Sequence, residues 1–331
     1  MPGKSNIEWT DATWNPVVGC TRVSAGCDHC YAETLHNQRH AAYLKTGAFG
    51  NIPQYHQPFE VVQTIPARLD IPIKWTKPRR IFVNSVSDLF HADVPDAFIA
   101  EVFATMALAD HHIFQVLTKR PRRMQQLLNS EAFRSDVIGY ANDRISRSQA
   151  SSPRLFRRFQ QPEDPIDPQC NEMPWPLPNV WLGTSVENQE AAYRIDYLVQ
   201  TPAAVRFLSC EPLLGFLYLS DWLWSRPAGS TAGPFYDKFG NHRGGSGGFG
   251  GQAITSMRLN DLHWVIVGGE SGKDHREMEP HWVRSLRDQC EDAGVPFFFK
   301  QWGGLTPKSG GRELDGRTWD EMPETAMEAI G

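Results

Sequence analysis

The chain has 331 residues, 40% hydrophobic and 11% aromatic, which supplies a sizeable core and excludes a fully disordered chain. Net charge is −5 and mean hydropathy −0.43, a balance that argues against coating a long duplex by bulk electrostatics. No apolar run approaches the roughly 18 residues of a membrane span and the N-terminal stretch lacks the apolar centre of a secretory signal, so a cytosolic protein without membrane association is expected.

In chain order, residues 14–20 form a short apolar run that reads as a strand leading into a cysteine-bearing loop. A helical pattern over 31–44 follows. A strand over 80–88 precedes a helix over 95–108 with Asp93 as its cap. The strand over 113–119 ends in the basic run Lys119-Arg-Pro-Arg-Arg123. A polar insert over 129–178 carries Arg134, Arg144, Arg147, Arg154, Arg157 and Arg158. Strands over 180–187 and 205–211 flank a helix over 188–198. A second insert, 224–257, is rich in glycine and serine and is expected to be a mobile lid or loop. A strand over 264–270, a helix over 280–293 closed by Gly294, and a strand over 295–302 complete the series. A polar tail over 305–331 is expected to dock loosely.

Near-continuous apolar strands alternating with helices predict a parallel sheet covered on both faces. The number of units predicts an α/β fold of the partial or complete (β/α) TIM-like barrel kind over 1–304, with two inserts and a tail. In barrels the chemistry gathers at the C-terminal strand ends. Those ends carry Asp88, Lys119, Glu187, Glu211, Glu270 and Lys300. A single charged tip is an ordinary solvated strand end; the whole set predicts a polar pocket.

Three of the six cysteines, Cys20, Cys27 and Cys30, fall within eleven residues in the pattern Cys-x6-Cys-x2-Cys. In a reduced compartment such a triplet reads as a metal or iron–sulfur site rather than a disulfide framework. Three thiolates hold a four-iron cluster with one iron left open. A closed zinc site of Cys27, Cys30, His36 and His40 is the alternative, and three structural thiols without metal another.

The loop resembles that of the radical-SAM superfamily in Cys20, Cys27, Cys30, in His29 just before the last cysteine, and in the preceding strand, although six residues rather than three separate the first two cysteines. More closely, the chain is similar to a phage-encoded and bacterial three-cysteine-motif family of radical-SAM-like proteins. The stretches carrying that likeness include 13–20, 26–33, 82–90, 117–120, 183–187, 209–212, 268–272 and 300–303. The resemblance implies a [4Fe–4S] cluster on Cys20, Cys27 and Cys30, S-adenosyl-L-methionine on its open iron, and an electron donor such as flavodoxin or ferredoxin. By strand position it implies cofactor contacts from Asn84, Ser85, Ser87 and Asp88, at the place that receives the methionine amino group. It further implies cofactor contacts from Lys119, Ser185 and Glu187. Glu211, Glu270 and Lys300, with Gln301 and Trp302, are then expected on the substrate side.

Cys210 stands at a strand tip, where a thiol can donate hydrogen to a product radical; an ordinary buried cysteine is the plainer reading. Arg120, Arg122 and Arg123, with Arg157 and Arg158 of the insert, form a candidate phosphate rim, and Trp175, Tyr193 or Trp302 is a candidate to stack a base that has left its duplex. Pairing of those arginines with acidic neighbours such as Glu131 and Asp143 is the plainer alternative. Family context points to carbon-centred modification or rearrangement of a DNA base such as a modified thymine. Modification of a peptide or small metabolite is a second reading, and a non-enzymatic nucleic-acid-binding protein a third.

Overall fold

The computed structural model describes residues 5, 7–151, 173–223 and 261–324. Cys170, Arg154, Arg157, Arg158 and the whole glycine-rich insert lie outside these described residues. The chain divides into two compact units, one of Met1–Ser185 with Asp196–Val205, the other of Val186–Ile195 with Arg206–Gly331.

The first unit is built on four parallel strands in the order β1 (Ala12–Trp14), β4 (Arg80–Val83), β5 (Ile113–Thr118), β6 (Val180–Ser185). Every residue of β6 and all but Leu117 of β5 are buried, which is why both read as unbroken apolar runs. The run over 14–20 is not one strand. Pro16 has no N–H for a ladder, so β1 stops at Trp14 and the chain turns into β2 (Val17–Val18), which pairs antiparallel with β3 (Gln63–Thr64).

Helix α1 (Tyr31–Thr46) follows the cysteine loop and α2 (Asp96–Leu108) follows β4. The cap of α2 is Pro95, not Asp93, whose backbone N–H donates instead to His91 Nδ1 at 3.2 Å. Nine of the thirteen residues of α2 are buried, because α4 (Glu131–Ser151) covers the helix from outside. The first insert thus opens with a core helix. Phe133, Val137, Ala141 and Ile145 recur every four residues and are all buried, an apolar face hidden by the polar average of the segment. Arg144 fastens the two helices, donating to Thr105 Oγ1 at 2.7 Å and pairing with Asp70 and Glu101. Between β5 and α4 lies a short helix that the sequence pattern concealed, α3 (Pro121–Leu128), with proline at its first position.

In the second unit β7 (Val205–Cys210), β8 (Trp264–Gly268) and β9 (Phe297–Gln301) run parallel in that order. The helix expected over 188–198 is broken. Asn188 accepts from the Ala191 N–H and caps a short 3-10 turn, and α5 (Tyr193–Val199), whose residues from Asp196 onward belong to the first unit, begins after it. Then come α6 (Ser220–Leu223) and α7 (Pro280–Ala293), the latter closed by Gly294 at φ +66°. The described part of the tail, to residue 324, does not dock loosely. Leu314 and Trp319 are buried, Phe298 bridges Asp320 antiparallel, and Trp264 Nε1 donates to the Glu321 carbonyl at 2.8 Å.

Among the described residues no helix is long and apolar enough to cross a membrane. The coarse expectation, an α/β fold of parallel strands alternating with helices, is what the structure shows.

Phe103 sits in α2 with its ring 5.7 Å from that of Phe133 and is almost fully buried. Phe103→Ala is expected to destabilise the fold by about 3–5 kcal/mol, read from urea unfolding; a loss under about 1 kcal/mol would show that α4 does not seal this core.

Candidate functional site

The cysteine loop belongs to the first unit and is fixed at its start by backbone. Gly19 has φ +86°, and a Cβ there would stand 2.5 Å from the Val61 carbonyl oxygen and 2.8 Å from that of Phe59. Only glycine fits this approach. The Cys20 N–H donates to the Phe59 carbonyl at 3.0 Å, and Gly19 bridges Ser87 in the loop after β4. Cys27 closes a short 3-10 turn and Cys30 caps α1. Arg22 pairs with Glu33 at 3.3 Å, joining the loop to the first turn of α1, and the Tyr31 hydroxyl donates to the Ser85 carbonyl. All three cysteines are free and half-buried.

Cys20 faces a charged network from the ends of β4 and β5. Arg120 donates from Nη1 to Cys20 Sγ at 3.7 Å and to Asp88 Oδ2 at 3.4 Å, and from Nη2 to the Thr21 carbonyl at 3.1 Å and Thr21 Oγ1 at 2.9 Å. Asp88, 5% exposed, also accepts from Thr118 Oγ1 at 2.7 Å and from the N–H groups of Phe90 and Lys119, each at 3.0 Å. His91 Nδ1 accepts from the Asp93 N–H, so the neutral ring carries its proton on Nε2 and donates to Thr21 Oγ1 at 2.7 Å. Burial and the nearby Arg120 hold His91 below the ordinary imidazole value, against the opposing pull of Asp93 and Asp88. Burial, then Asp88, push the Cys20 thiol up to about 11, against the pull of Arg120.

The tip of β4 lies over the start of the loop. Ser85 Oγ donates to Asn15 Oδ1 at 3.2 Å and Ser87 Oγ to the Val17 carbonyl at 2.7 Å. Asn84 is 3% exposed and has φ +58°, in the left-handed region that asparagine enters more readily than most non-glycine residues. Its Oδ1 accepts from the Val17 N–H at 3.3 Å, and its Nδ2 has no hydrogen-bond partner among the described residues. Because a backbone N–H can only donate, the amide orientation is settled and the unpartnered atom is a donor. Lys119 is half-buried beside this region and Ser185 is buried at the end of β6.

Among the described residues no three His, Cys, Asp or Glu side chains are gathered as a set of metal ligands. The donor chemistry fits an iron–sulfur cluster nonetheless: three free thiols share one loop, with a cationic donor at one of them and a buried amide donor unpartnered nearby. The zinc set fits less well. His36 Nε2 and His40 Nδ1 bond to the carbonyls of Gln57 at 2.9 Å and Tyr55 at 2.8 Å.

The expected nucleic-acid arginines divide. Arg120 is turned onto Cys20, and Arg123 is bound to the carbonyls of His91 and Val94 and to Asp96. Arg122 is exposed on α3, while Arg157 and Arg158 lie outside the described residues. In α4, Arg147 pairs with Asp143, the plainer of the two readings. Trp175 donates to the Leu128 carbonyl at 3.1 Å and packs against Phe103 and Phe133, whereas Tyr193 is 57% exposed.

The second unit holds its own polar group at the ends of β7, β8 and β9. Lys300 Nζ pairs with Glu211 Oε1 at 2.8 Å, and Ser209 Oγ donates to Glu211 Oε2 at 3.4 Å. Gly268 makes this pair fit, since a Cβ there would stand 2.6 Å from Glu211 Oε1. Glu187 forms a buried pair with Arg194 at 2.8 Å, and Glu270 accepts from Arg276 Nη2 at 2.6 Å, Nε at 3.0 Å and N at 2.9 Å. Cys210 is fully buried, and burial first, then Glu211 and Glu187, keep it a thiol. Cys290 is likewise buried and free. Trp302 is tied through Nε1 to the Glu313 carbonyl at 2.8 Å.

Sequence reading missed Thr21, His91, Thr118, Arg194 and Arg276. Thr21 and Thr118 stand within stretches already singled out but carry no signal of their own, and His91, Arg194 and Arg276 lie outside any motif; each is meaningful only beside its partner.

Gly19→Ala is expected to cost about 1–3 kcal/mol through strain at positive φ and the clash with the Phe59 and Val61 carbonyls, measured by chemical denaturation. A neutral result would sink the assignment of Gly19 as the anchor of the loop.

No curated protein and no solved structure matches the chain. One family model, described as protein of unknown function, matches residues 4–323 and so takes in the cysteine loop, the Arg120 network and the Glu211–Lys300 pair. The chain belongs to that family, DUF5131.

Proposed function

We propose that this protein is a radical S-adenosyl-L-methionine enzyme whose [4Fe–4S] cluster is held by Cys20, Cys27 and Cys30. The observation that supports the reading is that three free thiols share one loop, with the Arg120 cation at Cys20 and, at the end of β4, an Asn84 amide donor unpartnered among the described residues. On this reading the strand–helix repeats are those of a partial radical-SAM-type barrel.

When bound, the cluster supplies one electron that cleaves S-adenosylmethionine to methionine and a 5′-deoxyadenosyl radical, which takes a hydrogen atom from an unactivated carbon. The chain's residues bind and orient. Cys20, Cys27 and Cys30 act as thiolates, which a metal cation favours over the protonated form. Asn84 Nδ2 is a donor, so it suits a ligand oxygen, such as the methionine carboxylate, and not the amino group. Asp88 has no free acceptor for that amino group either, because its oxygens already take Phe90, Thr118, Lys119 and Arg120. The half-buried Lys119 suits the same carboxylate. In the second unit Glu187 and Glu270 are held by arginines, whereas Glu211 and Lys300 offer a proton acceptor and donor 2.8 Å apart for a polar substrate. The neutral Cys210 thiol retains the hydrogen that a product radical would need. A DNA base is the substrate class the family resemblance favours, and Arg122 is the exposed arginine of the expected rim; a flavodoxin or ferredoxin would deliver the electron.

Anaerobic reconstitution tests this. About four irons per chain, with 5′-deoxyadenosine formed on dithionite reduction, and loss of both in Cys30→Ala, are expected. One zinc per chain and no deoxyadenosine would overturn the reading. Modified-thymine DNA incubated with the reduced protein should then yield a changed nucleoside by mass spectrometry, and an unchanged base would remove DNA as the substrate class.

Asn84→Asp keeps the Val17 contact and replaces the amide donor with a carboxylate. It is expected to weaken S-adenosylmethionine binding at least about tenfold, measured by calorimetry on the cluster-loaded protein; unchanged affinity would take Asn84 out of the cofactor site.

A further inference from the structure

We infer that Arg120 is the positioning residue of the cysteine site, that it raises the reduction potential of a cluster bound through Cys20, and that Asp88 is its anchor rather than a cofactor contact. The inference rests on the cluster reading of the three cysteines and goes beyond it in assigning the device that sets their electrostatics.

Asp88 decides the matter by its capacity. A carboxylate offers about four lone-pair sites. Its Oδ1 accepts from Phe90 N and Thr118 Oγ1, and its Oδ2 from Lys119 N and Arg120 Nη1. Each acceptor position is taken, and the residue is 5% exposed. It has no site left for an ammonium from outside, so its charge serves Arg120.

Arg120 is held from both ends. Its backbone N–H donates to Thr118 Oγ1 at 2.8 Å, the same hydroxyl that donates to Asp88. Its Nη2 grips Thr21, the residue after Cys20, at both the carbonyl and Oγ1, and His91 fixes that hydroxyl. What remains is Nη1, which points to Cys20 Sγ at 3.7 Å. The segment after β4, through Asp88, and the cysteine loop, through Cys20 and Thr21, thereby converge on one guanidinium beside one ligand thiol. The Arg120 side chain is 16% exposed, so water screens its charge weakly.

A cation and an N–H donor at a ligating sulfur draw electron density from the metal and stabilise its reduced state. Removing them makes reduction harder, a shift to more negative potential. Lysine keeps the charge but loses the fork that holds Thr21 and Cys20 together.

The test uses the full chain, reconstituted anaerobically, as wild type, Arg120→Gln and Arg120→Lys. Iron content and an EPR-monitored redox titration are read for each. The expected result is iron loading in all three, with the midpoint potential shifted negative in R120Q and shifted less in R120K. A residue that only braced the fold would lower the melting temperature without moving the potential of the loaded fraction. If R120Q takes up no iron, R120K decides: a negative shift supports the assignment and an unchanged potential overturns it. A wild type that loads no iron defeats the cluster reading itself. A wild type that loads iron, with variants of unchanged potential, defeats only the role given to Arg120.

Discussion

The contact on which the candidate site depends is the ion pair of Asp88 and Arg120. A buried carboxylate is costly unless its lone pairs are met. Here they are met by two backbone N–H groups, one hydroxyl and one guanidinium, all from the ends of β4 and β5. The saturated carboxylate fixes the guanidinium, which in turn fixes Thr21 and faces Cys20. With Gly19 seated against two carbonyls, the first cysteine is held from two sides. The same packing leaves Cys20 partly desolvated beside an anion, so its thiol is stable as a neutral group until a cation arrives.

The charged strand ends do not all serve one purpose. Asp88, Glu187 and Glu270 are each neutralised by an arginine, and all three are buried. They are internal braces whose burial demands a partner. Glu211 and Lys300 are more accessible, at 15% and 21% side-chain exposure, and neutralise each other across a glycine. Asn84 departs from both patterns, combining a buried donor without a partner among the described residues with a positive φ. Unmet polar capacity in a buried position is where a ligand gains most, since binding then removes an existing penalty.

Much of the fold was legible because parallel strands covered on both faces leave little choice of residue. Runs such as Val180–Ser185 and Trp264–Gly268 are almost wholly apolar, and Gly294 marks the end of its helix by conformation alone. Elements of mixed composition were harder. Helix α4 shows only Phe133, Val137, Ala141 and Ile145 to the core, and its arginines dominate the average. The tail reads as polar, yet Leu314 and Trp319 suffice to seat it on β9, because two large side chains bury enough apolar area to order a short segment.

The sequence by itself determined the alternation of strands and helices, the cysteine spacing and the residue types at each strand end, since these follow from periodicity and local chain geometry. Tertiary structure alone decided which charges are spent and which remain. Arg120, Arg122 and Arg123 stand within four residues of one basic run, yet Arg120 faces a thiol, Arg123 a carboxylate and two carbonyls, and Arg122 solvent. Pairing energies depend on distance and burial between residues far apart in the chain, here about 30 residues for Thr118 with Asp88 and 100 for Arg120 with Cys20. No local pattern encodes those distances; only the packing of strands and loops sets them.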